Sequence, residues 1–580
     1  MSFRLMIAAF LTSAMLFAFR YRGQIKQNSA AFNIAEYKKK NIIRCSPDWN
    51  ELKEWLEETD IPPIPGAGIH QWKISTTNDS AWFYFNQGIN MYYSFHIIEA
   101  MASFKKAAKF DPNCAMLHWA QALCYGPNIN DFGYRASPEA LAALNKAKEL
   151  ATAATPLEKE LIDAMSVRYT ADSTDVTRAR LNEDYTRMMK KVYNNYKDNP
   201  DVQALYADAM MLQHPWDLWY VNGTPKPWTP LIREVLEKLL ANYPNHPGGN
   251  HYYIHVMEPS PYAAKALPGA ERLGKTNPGL SHVVHMPSHI YLRTGLYQKG
   301  VDVNINAVNS YKKTIPLYAP VTGNDFLYSI HNLHMKTNHA MMLGNYRLAK
   351  AAAMETRESV PNDYLAIPPP MGNYLQYIHM TPLFVDLRFG KWDELLKTKQ
   401  PAPTFVYANI LYHFGRGMAF SYKQNFTEAG NELDKMRELM KDSLLLIPFT
   451  PYSAAIEGAR VAEQFLLGAI HEQRQLFDGA IRHFGQADSI ETNMVYNEPR
   501  DWLLSPKHYL GNAYLKAAKR KEAENIFLKD LKYNNENGWG LYGLRQSLTA
   551  QKKAADAAKV MARFKKAFAK ADVKISSAAY

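Results

Sequence analysis

A chain of 580 residues exceeds what one hydrophobic core usually organises, so several domains or an elongated repeat array is expected. With 47% hydrophobic and 21% charged residues it has the composition of an ordinary folded protein, which excludes a disordered or low-complexity chain. The net charge of +12 sits at the ends, with eight Lys/Arg against two acids in residues 1–50 and nine against two in residues 545–580. The body is left neutral, without the cations that a nucleic-acid groove needs.

Arg4 precedes the apolar run Leu5–Phe19, LMIAAFLTSAMLFAF. That run matches the apolar region of a secretory signal and is short for a membrane span. Residues 1–24 are therefore expected to direct export to the periplasm or cell envelope. An uncleaved anchor stays open, because no small-x-small cleavage site follows cleanly. Cys45, Cys114 and Cys124 are too few and too irregularly spaced for a disulfide framework or a thiolate zinc site; Cys114 and Cys124 fall in a helical pattern and are expected in the core. Residues 25–79 read as a linker and N-terminal segment, broken by PPIPGAG at Pro62–Gly68.

Helical periodicity then runs almost unbroken to about residue 570, and strand-like alternation is scarce. The first clear unit carries Gly88, Ala100, Phe104, Ala107 and Pro112. These are the small, aromatic and helix-stopping residues expected where two helices cross closely and then end. Similar sets recur at Gly295, Tyr297 and Ala307; at Gly344, Tyr346 and Ala349; and at Gly417, Phe426 and Ala429. Two more follow at Gly468, Ala480 and Phe484 and at Gly511, Ala523 and Phe527. A last helix pair is predicted over Leu541–Lys570.

The organisation expected is N-terminal helices with loops over 80–245, histidine-rich units over 246–360, further units over 361–570 and a tail at 571–580. Register is lost around Gly126–Tyr134 and Gln213–Trp228. These aromatic loops are expected to cover the opening near the histidines, with packing of Trp216, Trp219 and Trp228 between repeats as the alternative.

Nine of the 18 histidines fall between His246 and His339. His251, His255 and Glu258 stand at helical spacings i, i+4 and i+7, and His282, His285 and His289 at i, i+3 and i+7, so each trio is predicted to share a helix face. Pro287 qualifies the second trio, because it must kink a helix or begin one. A shift of 34 residues superposes His251 on His285 and His255 on His289, and that is the tetratricopeptide (TPR) period. His331 and His334 precede Gly344 as His282 and His285 precede Gly295.

Taken together, residues 80–570 resemble a TPR protein. More narrowly, the chain is similar to a group of bacterial repeat proteins carrying the strings HYYIHxxE and HMPSHIYLRxG, which stand here at His251–Glu258 and His285–Gly295. FDPNCAMLHWA, GPNIN, PWDLW and GWGLYGL also look like signature strings of that group. The resemblance implies an all-α solenoid of stacked antiparallel helix pairs in a right-handed superhelix, with the histidine places facing the concave groove. It brings no established activity.

Imidazoles crowded on matching faces are costly to bury unpaired and repel one another when protonated. A metal removes both problems by binding the neutral nitrogen. The reading is a groove site for a divalent transition metal, Zn, Cu or Fe, drawn from His251, His255, Glu258, His282, His285, His289, His331 and His334. HYYIH lacks the glutamate of the H-E-x-x-H protease motif. Glu258 is a candidate ligand or general base, and Tyr252, Tyr253 or Tyr291 a proton donor. Asp217 and Asn332 are candidate partners that would orient ring nitrogens. A metal-dependent enzyme of unknown reaction is the first expectation. Three others stand beside it: a metal-free pocket for a peptide or anionic small molecule, a structural hydrogen-bond network, and a scaffold holding a partner protein in its groove. No nucleic acid is expected, and membrane contact only through the N-terminal segment.

Overall fold

The computed structural model describes residue 47 and residues 49–580, except 59, 131–133, 135, 173, 315, 319–324, 450 and 500. The N-terminal apolar run, Cys45 and residues 25–46 of the expected 25–79 segment lie outside the described residues. Among those described there is no named strand, only isolated antiparallel bridges at Trp219–Pro225 and Pro448–Ala454, and no helix is long and apolar enough to cross a membrane.

The fold is an α-solenoid of stacked helix pairs. Helix α1 (Asp79–Tyr93) pairs with α2 (Ile97–Phe110), and the same arrangement recurs in Ala455–Gln473 with Phe477–Asn493, Pro506–Lys516 with Arg520–Tyr533, and Gly538–Ala550 with Ala554–Ala567. Close crossing explains the small residues. A Cβ at Gly88 would lie 2.5 Å from the Phe104 ring, one at Gly468 2.6 Å from Phe484, and one at Gly511 2.4 Å from Phe527. Each glycine therefore lets an aromatic ring sixteen residues later press against its helix.

Gly295 and Gly344 do something else. Both are left-handed turn residues (φ 76 and 69) standing two residues before the helices α6 (Tyr297–Thr314) and Tyr346–Glu358. Phe95, Gln424, Gln475, Ala518 and Lys552 occupy the same place with φ between 56 and 61. The turn demands that backbone, and glycine is the residue that adopts it without steric cost. In the histidine units the crossing position is taken by Ser288 and Thr337, twelve residues before Gly300 and Ala349.

The solenoid curls until distant repeats meet. Arg293 Nη1 donates to Tyr533 O at 2.7 Å, Tyr297 Oη to Asn535 O at 2.6 Å, and Trp539 Nε1 to Met341 O at 2.9 Å. The Tyr533 hydroxyl reaches Val221 O at 2.9 Å. One hydrophobic core spans Trp49 to Tyr318 and another Tyr297 to Ala579, so the histidine units lie where the two join. Cys114 and Cys124 are buried and unpaired.

Gly468→Ala is expected to destabilise the fold by about 1–3 kcal/mol through overpacking against Phe484. Gly485→Ala, where a Cβ meets nothing within 4 Å on a helix interior, is expected to stabilise it by about 0.5–1 kcal/mol. Urea midpoints of the two variants, shifted in opposite directions, check the assignment.

Candidate metal centre

Helix α3 (Pro247–Met257) presents His251 and His255, and its C-cap is Glu258. The chain then places His282 and His285 on the short helix α4 (Ser281–His285), breaks at Met286, and restarts with Pro287 at the head of α5 (Pro287–Thr294), which carries His289. Helix α7 (Asp325–Met342) supplies His331. All are buried except His331, which is 16% exposed.

These six imidazoles form two triads. His251, His255 and His282 bring ring nitrogens within metal-binding range of one another, and His285, His289 and His331 form a second group of the same kind. His251 Nε2 lies 3.1 Å from His255 Nε2 and 3.1 Å from His282 Nε2; His285 Nε2 lies 2.6 Å from His289 Nε2. Tetrahedral coordination at a metal–nitrogen distance of about 2.0–2.1 Å sets ligand nitrogens about 3.3 Å apart. The triads adjoin: His255 and His289 have ring centroids 6.3 Å apart, the same as His282 and His285, and no farther than His255 from His282 inside the first triad at 6.4 Å.

Partners on the far side of the rings fix the tautomers. His251 Nδ1 lies 2.7 Å from the carbonyl of Tyr93, which can only accept, so the proton is on Nδ1 and a lone pair on Nε2. His285 Nδ1 lies 2.6 Å from Asn304 Oδ1, while Asn304 Nδ2 donates to Gly300 O. Glu258 serves both triads, with Oε1 3.0 Å from His255 Nδ1 and Oε2 2.8 Å from His289 Nδ1. Carboxylate and carbonyl partners of this kind orient metal-bound imidazoles. The result is pairs of unprotonated nitrogens facing each other at hydrogen-bond distance, which repel unless a cation lies between them. Burial, then the neighbouring imidazoles, hold His251, His282, His285 and His331 well below the usual histidine range.

Glu498 completes the centre from 240 residues away. Its Oε2 lies 3.2 Å from His289 Nδ1 and 3.9 Å from His331 Nε2. Burial and the adjacent Glu258 push its carboxyl well above the usual carboxylate range. Burial acts on Glu258 in the same sense, but His289 and hydrogen bonds from Glu498 and His255 outweigh it and hold Glu258 low. The two buried carboxyls are thus pushed in opposite directions. Tyr496 also donates to Glu258, at 3.2 Å.

The sequence expectations are met unevenly. The trio at i, i+3 and i+7 is split, His282 going to the first triad and His285 and His289 to the second, because the break before Pro287 redirects the chain. His334 shares the register of His251 and His285 but lies outside both triads; its ring meets Tyr377 edge-on at 5.7 Å. Asp217 is half exposed and pairs with Lys226 at 2.9 Å, so it orients no histidine. Among the described residues, Asn332 donates to Ser281 Oγ, at 3.5 Å. The Tyr252 hydroxyl is buried without a partner in the field of Asp208 and Tyr185. Tyr253 donates to Glu237, and Tyr291 lies near Lys299. None of these three tyrosines has a recorded bond to either triad.

The aromatic loops do reach the site, Trp216 against a ring and Asn130 in the wall of the cavity beside His282 and His331. Trp216 packs edge-on against His255 at 5.2 Å and donates Nε1 to Ile129 O at 3.2 Å. Trp228 instead stacks on His214, and Trp219 bonds Val256 O. Phe95 lies under the first triad, 4.5 Å from His251. His96 borders it, its Nε2 accepting from His282 N at 3.4 Å, whereas His508 belongs to a separate pair with Asp530 at 2.8 Å. Nothing local in the sequence flagged Glu498, Tyr496, Asn304 or Phe95.

Fold and site together describe a TPR-type α-solenoid with paired histidine triads in its curl. No family model matches the chain, and no curated protein matches it. Among solved structures, a human IFIT1 dimer with m7Gppp-AAAA is 14% identical over 86% of this chain and 91% of that one, with a TM-score of 0.29. Yeast Tom70 is 12% identical over 84% and 91%, with a TM-score of 0.28. The TPR domain of P58(IPK) is 11% identical over 82% and 99%, with a TM-score of 0.19. Likeness at that level carries no ligand from those proteins to this one.

His334 and His339 are buried and held near pH 3 by that burial, against about 6.5 in an unfolded chain. Between those values the unfolded state binds a proton that the folded state refuses. Stability is therefore complete above about pH 6.5 and falls as pH drops, by about 1.4 kcal/mol per pH unit for each such group. Urea midpoints at pH 7.5, 6 and 5 are expected to fall steeply, and less steeply in His334→Leu.

Proposed function

We propose that this chain is a metalloprotein whose curl holds two transition-metal ions, one on His251, His255 and His282 and one on His285, His289 and His331, and that it acts as an enzyme. The observation that carries this is the facing of lone-pair nitrogens whose tautomers are set from behind. Three imidazoles with a further position open are the ligand set of catalytic rather than structural sites. The donors suit Zn, Cu or Fe. Glu258 is assigned the role of orienting both triads, and Glu498 that of the acid nearest to the open side.

A cavity adjoins the pair, lined by His282 of the first triad, His331 of the second, and Glu498. Its aromatic walls, with Trp216, Tyr328 and Phe449 among them, suit a small molecule more than an extended peptide, and a small-molecule substrate is part of the reading. Export through the apolar segment Leu5–Phe19 and kinship with the bacterial HYYIHxxE group complete it.

Elemental analysis of the purified protein is expected to give two metal ions per chain. His251→Ala and His285→Ala are each expected to lose one ion and together both. Glu258→Gln, which touches both triads, is expected to weaken each site by roughly 10–100-fold. Metal-free protein whose urea midpoint does not change on adding Zn or Cu would sink the reading.

A further inference from the structure

We infer that the chamber behind the aromatic wall of the metal-side cavity is a subsite for an organic ammonium ion, a primary amine on an aromatic body. Its lining includes Tyr377 on the helix Met371–His379, Tyr407 on the helix Val406–Tyr422, and Asp501. Tyr374, Phe449, Tyr452 and Asn497 line both this chamber and the cavity beside His282 and His331. An occupant anchored in the chamber therefore extends toward the metal pair. That extension rests on the two-ion reading above; the subsite itself does not.

The carboxyl sets the sign of the ligand. Asn497 Nδ2 donates to Asp501 Oδ1 at 2.6 Å. Among the described residues no Lys, Arg or His pairs with Asp501 or stands in the chamber wall. Burial pushes the carboxyl up to about 7, as it does an acid without a counter-ion. A neutral or anionic ligand would leave that charge uncompensated, whereas a cation pairs with it.

The rings set the kind of cation. Tyr377 and Tyr407 have centroids 6.4 Å apart at 21°, so one cation can lie within about 6 Å of both, the range of cation–π attraction. Burial, and after it the Asp501 charge, raise both phenols, which places the carboxylate beside the same two rings. Gly458 gives Tyr407 its room, since a Cβ there would stand 2.1 Å from the hydroxyl. A bare metal ion is the poorer fit, because Asp501 is the one carboxylate among the described wall residues and hard cations gather about six or more oxygens. Tyr374 stacks on Phe449 at 5.3 Å and 15°, a flat wall that receives the aromatic body of the amine.

The test is titration calorimetry of the full chain, metal-free and zinc-loaded, with 2-phenylethylamine and with 2-phenylethanol as its uncharged counterpart. The amine is expected to bind both forms alike, and the alcohol about tenfold more weakly or worse. Asp501→Asn is expected to weaken the amine about 10–100-fold and leave the alcohol unchanged. Tyr407→Leu, a second variant that keeps the carboxyl, is expected to weaken the amine roughly fivefold. Three outcomes would overturn the subsite and leave the two-ion centre standing: equal affinity for amine and alcohol, amine affinity unmoved by Asp501→Asn, or amine binding confined to the zinc-loaded chain, where the nitrogen sits on the metal. A chain that takes up no metal yet binds the amine as expected would keep the subsite and remove the two-ion reading.

Discussion

Three imidazoles in this protein are held with a hydrogen on the outer nitrogen and a lone pair turned inward, and the rest of the site depends on that constraint. A carbonyl behind His251, an amide oxygen behind His285 and a carboxylate behind His255 set those three tautomers, and the same carboxylate stands 2.8 Å from His289 Nδ1. Lone pairs 2.6–3.1 Å apart in a buried setting repel one another unless positive charge lies between them. At His251 and His285 protonation is opposed by burial and by the neighbouring rings.

Holding such a cluster takes rigidity that single helices lack. The curl supplies it, because Arg293, Tyr297 and Trp539 tie the histidine units to the far repeats across more than 190 residues of chain. The same closure brings Tyr496 and Glu498 onto Glu258. Phe95 and Trp216, both packed against the first triad, take left-handed backbone (φ 56 and 61), a conformation that costs about 1–2 kcal/mol for a bulky residue. At Phe95 the turn geometry of every repeat demands it; at Trp216 the loop adopts it where its indole meets His255.

Much of the fold was legible. The Gly88–Phe104 pair and its counterparts at Gly468 and Gly511 read correctly because the aromatic must stand sixteen residues after the small residue for their helices to interlock. Gly295 and Gly344 looked like members of that series and are turn residues, since glycine serves both where a side chain will not fit and where φ is positive. At the site, helical spacing gave the histidines and Glu258, but it also nominated His334. Spacing says that residues share a face; it does not say how far that face is rotated from its neighbour. His334 shows the difference, in register with His285 and yet turned to Tyr377.

The sequence by itself determined what repeats: helix pairs, a period of 34 residues, and the concentration of imidazoles in one stretch. Those properties are local, set by 3.6 residues per turn and by the volume of a side chain at a crossing. Only the tertiary structure decided that six histidines divide three and three, that Glu258 stands behind both sets, and that Glu498 and the aromatic cavity close over them. These follow from the helix break at Pro287 and from the accumulated curvature of the solenoid, a sum of many small rotations that no short stretch of chain encodes.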